Sequence, residues 1–187
     1  ESAYVNAEFI PIVYSGAAIT MGAHSSVFGN IQSVAAVTLG EAAELRGSIM
    51  AGAAVTLDKD GVVIGDITAG EDATIGAISL VIGNLTAGAT VFIGAKSEVS
   101  GDLKSNGDAK LGAGATVGGN ATSVTSVTLG ANAQVGKDES AGNVRAVNGS
   151  IVLGLNASVK GDATAGTIIS LGMNAEVQGS ETQYANP

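Results

Sequence analysis

The chain has 187 residues, enough for one domain, with 28 Gly, no Cys, no Trp, three Phe and three Tyr, so its core must be filled by Ala, Val, Ile and Leu, which disfavours a wide sandwich and fits a thin core. Its net charge of −9 argues against nucleic acid and anionic membrane surfaces as partners, because both need a basic patch. Gly, Thr, Asn or Asp interrupts every apolar run, so no transmembrane helix is expected, and the lack of Cys fits either redox compartment.

The chain opens at Glu1 rather than Met, as a trimmed chain or a processed secretory protein would. From Ala17 a phrase of eighteen residues recurs: Ala17, Ala35, Ala53, Glu71, Ala89, Gly107 and Thr125 open successive copies. After one insertion Gly149 and Thr167 open two more, making nine. Counted backwards in the same frame, YVNAEFIPIVYSG places Ala7, Phe9, Val13 and Ser15 inward. Residues 1–16 are therefore expected to form a partial coil, widened by Phe9 and bent at Pro11, serving as a cap or an assembly segment.

Within each copy the fifth position (Met21, Leu39, Leu57 through Leu171) and the eleventh (Val27, Leu45, Val63 through Val177) contain no polar residue. The third is Ile, Val or Ala, the ninth small, the fifteenth mostly aliphatic, and the seventeenth Ala or Ser until the final copy. Inward positions thus fall in pairs two residues apart, the strand period, and the pairs follow one another every six residues. Glycine recurs at the sixth and thirteenth positions, where it is expected to supply corner conformations that other residues resist. Three strands and three corners per copy predict an all-β fold, a triangular β-solenoid (β-helix) of about nine eighteen-residue coils over residues 17–180. Coils stacked about 4.8 Å apart would make a rod roughly 43 Å long.

The fourteenth position reads Asn30, Ser48, Asp66, Asn84, Asp102, Asn120, Asn143, Asp162, Ser180, and never puts Asp in adjacent copies. Stacked carboxylates would repel, whereas Asp beside Asn can share hydrogen bonds, so the column is read as corner chemistry rather than a calcium ladder. The seventh copy is six residues too long. Aligning GNVRAVN with the phrase GDITAG turns Val144 and Ala146 inward and leaves mainly KDESA, 137–141, as a corner bulge. Glu181 and Gln183 occupy positions that should face inward, so the solenoid is expected to stop near Gly179, with 181–187 a tail. Solenoid ends expose unpaired strand edges and open core. Here Tyr4, Ala7, Phe9, Val13 and Tyr14 at one end, and Leu171, Ala175, Val177 and Tyr184 at the other, either serve as short caps or join one molecule to the next. An end-to-end contact that closes no ring makes a filament.

Of the outward positions, the fourth carries Thr20, Thr38, Thr56, Thr74 and Thr128, and the sixteenth a second Thr-rich column. Such rows raise ice binding as an alternative, although Thr is also favoured on any exposed strand and Phe92, Lys104, Lys110 and Arg145 interrupt the columns. Val62, Ile64, Ile78, Leu80 and Ile82 are expected to form a lateral apolar patch on the third and fourth coils, of the kind that marks an interface. No chemistry emerges. His24 stands alone, carboxylates are dispersed, and no GxxxxGK[ST] phosphate loop occurs, so no enzyme, metal or cofactor is expected.

The phrases VTLGANAQVG, ATVGGNAT and VIGDITAG resemble those of the bactofilin family of polymer-forming cytoskeletal proteins over about residues 17–180. The resemblance implies a right-handed triangular β-helix that polymerises end to end without nucleotide through its apolar end coils. The chain differs from that family in its greater Ala and Thr content, its lower charge and its aromatic N-terminal coil. A conventional bactofilin would be cytoplasmic, whereas these departures point to a secreted relative, extracellular or at the cell surface. The expectation is a structural homopolymer whose partner is itself, with an ice-binding or other surface-recognition solenoid as the alternative.

Overall fold

The computed structural model describes residues 12–137 and 141–184. Every regular element among them is a short parallel strand, and the strands stack into three sheets around one axis. The first sheet has ten strands, from Ile12–Ser15 and Asn30–Ser33 to Glu181–Gln183. The second has nine, from Ile19–Met21 to Ile169–Leu171, and the third nine, from Ser26–Phe28 to Glu176–Val177. The fold is the expected β-solenoid. Its register is the eighteen-residue step read from the sequence: Val37 pairs with Val55, and Val55 with Ala73.

Alternation within three-residue strands settles which side chains form the core. In Val55–Leu57 the outer two residues are buried and Thr56 faces out. Val37, Leu39, Ala43, Leu45, Ile49 and Ala51 make one such layer, and its equivalents repeat along the rod. Aliphatic residues suffice because the triangle is narrow, and stacking buries each layer between two others. The few buried hydroxyls are satisfied. Ser79 Oγ donates to Asp58 O at 3.0 Å and accepts from Gly61 N, and Ser97 Oγ donates to Gly76 O at 2.6 Å. No buried side-chain polar atom among the described residues lacks a partner, as native packing demands.

The fourteenth-position column forms a continuous ladder along one corner. Asn30 Oδ1 accepts from Ser48 N at 2.8 Å, Asp66 Oδ1 from Asn84 N at 2.7 Å, and Asp102 Oδ1 from Asn120 N at 2.7 Å. It continues through Asn143 Oδ1 to Asp162 N and Asp162 Oδ1 to Ser180 N, both 2.7 Å. Each side chain thus replaces the strand hydrogen bond that the corner interrupts.

The other corners correct the sequence reading. At the thirteenth position glycine takes positive φ in the first four copies, as at Gly29 (φ 127°) and Gly65 (φ 151°), but not at Gly101, Gly119, Gly161 or Gly179. At the sixth it does not: none of those glycines has positive φ, and from Gly40 onward a Cβ on any of them would crowd backbone of the preceding rung, while Gly22 has no such contact and the third copy carries Asp58. The left-handed residue is instead the eighth of each copy, and it is glycine only at Gly114. His24, Ala42, Asp60, Ile78, Lys96, Asn132, Asn156 and Asn174 hold the same conformation with φ between 53° and 59°. Six of these nine residues are His, Asp, Asn or Gly, the types that enter the left-handed region most easily, whereas Ala42, Ile78 and Lys96 gave no signal.

The insertion is absorbed in two places. Ala121 pairs with Val144 and Val127 with Ile151, so five of the extra residues precede the strand Val144–Ala146 and the sixth lies in the corner at Val147–Ser150. Val144 and Ala146 face inward, while Asp138, Glu139 and Ser140 lie outside the described residues. At the C-terminus the rod runs further than expected: Glu181 and Gln183 pair with Ala163 and Ala165, adding a strand beyond Gly179. Backbone pairing continues there because a strand edge needs no apolar side chain, only a neighbour in register.

Candidate functional surfaces

Among the described residues, both ends of the rod leave inward-column side chains exposed. At the N-terminal end Val13 stacks on Ile31 in the inward column, yet is 43% exposed, and Ile19 and Val27 are only partly buried. At the other end Leu171 is 42% exposed, and Ala175 and Val177 are partly buried. The same columns in between are closed, with Val37, Leu57 and Val135 fully buried. Tyr14 and Tyr184 lie exposed beside these openings, joined by Phe28 and Met173, which sequence reasoning did not single out. Tyr4, Ala7 and Phe9 lie outside the described residues. The C-terminal opening is not uniformly apolar, because Glu181 and Gln183 occupy its first-sheet side and are exposed.

The lateral patch lies on the third sheet. Val62 pairs with Leu80 and Ile64 with Ile82, leaving Ile64 39% and Ile82 46% exposed and Val62 and Leu80 half-buried. Ile78, 61% exposed, sits at the adjoining corner in the left-handed conformation that disfavours β-branched residues. Ion pairs bound the patch on either side: Glu44–Arg46 at 2.7 Å and Glu98–Lys137 at 2.6 Å. Arg46 also lies over the Phe28 ring, 5.3 Å from its centroid. A face of three-residue strands stacked nine deep offers roughly 400 Å², about half of what a stable interface buries per partner. Sheet-to-sheet contact alone is therefore weak.

The second-sheet threonines form one uninterrupted rank of four, Thr20 to Thr38 to Thr56 to Thr74, paired rung by rung. Thr128 stands apart from them, because Phe92 and Lys110 fill the two rungs between. At the neighbouring corner Asp108 accepts from the Thr125 hydroxyl at 2.5 Å and from Ser126 N at 3.3 Å. The Thr125 bond above all, then the Ser126 amide and Lys110, hold its carboxyl below the usual range.

A shallow groove of about 670 Å³ runs along the first-sheet face beside the Asn/Asp ladder. Thr86, Lys104, Thr122 and Arg145 project into it from four successive strands, and Asn120 and Asn143 line its ladder side. Lys104 and Arg145 entered the sequence reading only as interruptions of a threonine column. Their placement in one concavity depends on the insertion, which puts Arg145, 23 residues beyond Thr122, on the next rung.

Among the described residues no three His, Cys, Asp or Glu side chains gather as a metal site, and no helix is long and apolar enough to cross a membrane. His24 is exposed at a corner. No family model, no curated protein and no solved structure matches the chain.

Proposed function

We propose that this protein is a non-enzymatic structural rod that self-associates end to end into β-solenoid filaments, as its resemblance to the bactofilins implies. The observation that carries the reading is the opening of the core at both ends, with Val13 and Leu171 more than two-fifths exposed where the intervening columns are sealed. Among the described residues the outermost parallel strands at either end have no further strand beside them, and a second molecule is the simplest partner that satisfies their backbone together with the apolar side chains. The C-terminal contact surface is then Leu171, Ala175 and Val177 on two sides of the triangle. Glu181 and Gln183 keep the third side wet, since burying that carboxylate unpaired would cost several kcal/mol.

The test is electron microscopy and sedimentation of the purified protein over rising concentration, with Leu171→Glu and Val177→Glu beside the wild type. Filaments that lengthen with concentration and are lost in both variants are expected. Short rods of single-molecule length at every concentration overturn the proposal.

A second reading rests on the four-threonine rank. Hydroxyls and methyls repeated at the rung spacing, on a face flanked by Ala36 and Ala54, offer a regular surface to ice. It predicts thermal hysteresis at concentrations too low for assembly, abolished by Thr56→Tyr.

A further inference from the structure

We propose that the first-sheet groove binds an acidic polysaccharide carrying its charge on alternate sugars. This goes beyond self-association, because the groove lies between the strands Leu85–Ala87 and Val144–Ala146, away from both ends of the rod.

The chain has eight basic residues against seventeen acidic ones, and four of the cations are held in local ion pairs. Arg46, Lys59, Lys110 and Lys137 pair with Glu44, Glu41, Asp108 and Glu98. Lys104 and Arg145 form no ion pair with any described residue, and both line the first-sheet groove. Both are exposed, and Thr122 separates them by one rung, so their backbones lie about 9.6 Å apart along the axis. One carboxylate, Asp102, lines the same groove, and its Oδ1 already accepts from Asn120 N at 2.7 Å and Asn120 Nδ2 at 3.2 Å. The groove is therefore a small positive island on a strongly acidic molecule.

The spacing and the lining select the ligand class. An extended pyranose chain advances about one rung per sugar, so anions on alternate sugars meet Lys104 and Arg145 together while the intervening sugar lies over Thr122. Hydroxyls of that chain find Thr86 and Thr122 as partners, the free oxygen of Asp102 as acceptor, and Asn143 Nδ2 as donor. The groove has no aromatic ring on which a base could stack and no apolar pocket to anchor a peptide side chain, and the net charge repels a dense polyanion. Charge-assisted hydrogen bonds at two points, with hydroxyl contacts between, suit a regular uronate polymer.

Calorimetric titration of the full chain with a hyaluronan octasaccharide, in which every second sugar carries a carboxylate, tests the proposal. Wild type is expected to bind, more weakly as salt rises, and to ignore a neutral oligosaccharide of the same length. Lys104→Thr with Arg145→Thr, which copies the residue of the adjacent rungs and so suits the strand, should weaken binding at least about tenfold. Lys110→Thr on the second sheet should leave it unchanged. If the double variant does not fold, Lys104→Gln with Arg145→Gln carries the same expectation. No binding by wild type, unaltered binding by the double variant, or equal affinity for polyglutamate overturns the proposal.

Discussion

Gly94→Ala puts one methyl group where two rungs of the solenoid touch. A Cβ at Gly94 would lie 2.6 Å from Ala77 N and Gly76 C and 2.8 Å from Gly76 O, all backbone atoms of the rung below. None of them can swing aside as a side chain would. Ordinary carbon contacts lie near 3.5–4.0 Å, so the rungs must part locally by about 1 Å. The strand there is held by Gly94 N to Ile75 O and Gly112 N to Ile93 O, each 2.7 Å, and such a displacement takes at least one of them out of hydrogen-bonding range. Overpacking of about 1–3 kcal/mol with about 1 kcal/mol for a lost bond gives an expected cost of about 2–4 kcal/mol. At roughly 2–4 °C per kcal/mol for a chain of this size, melting should fall on the order of 10 °C. Gly22→Ala is the control. It occupies the same repeat position, has no left-handed φ, and meets no described atom within 4 Å. Its replacement should be neutral, or stabilising by about 0.4–1 kcal/mol through the unfolded chain. Guanidinium denaturation followed by circular dichroism measures both. A Gly94→Ala cost below about 1 kcal/mol, or a Gly22→Ala cost equal to it, would refute the close-approach argument.

Asp102→Ala should destabilise by about 1–2 kcal/mol, since it strips the acceptor from Asn120 N and Nδ2, whereas Asp102→Asn keeps a ladder oxygen and should fall within about 0.5 kcal/mol of wild type in the same assay. The carboxyl of Asp108 is depressed in the folded state, so its contribution is present above the ordinary Asp value of about 3.9 and is lost as pH falls through the lower folded value. Melting temperature against pH should therefore drop less steeply on the acid side in Asp108→Asn than in wild type, and parallel curves would sink that assignment.

Much of the fold was legible in the residues because inward and outward facing depend on two local rules, alternation within a strand and the eighteen-residue step. Those rules located Leu57, Val63 and Ile67 in the core, and they placed Val144 and Ala146 correctly across an insertion. They anticipated the Asn/Asp ladder too, because its partners occupy one column. They failed where conformation or proximity, rather than facing, was at stake. The left-handed corner is only partly signalled, by His24, Asp60, Gly114, Asn132, Asn156 and Asn174, because backbone closure imposes it on Ala42, Ile78 and Lys96 as well. Gly22 and Gly94 are equivalent in sequence and different in the rod, because only Gly94 has a described rung beneath it. Glu181 looked like a stop, yet pairing continued through it, because a parallel edge recruits backbone and not side chain. Lys104 and Arg145 looked like faults in a threonine row until stacking brought them, two rungs apart, into one groove. The sequence by itself determined the period, the core and the ladder, all of which repeat. The tertiary structure alone decided the ends, the corners and the groove, because each depends on which rung lies next to which.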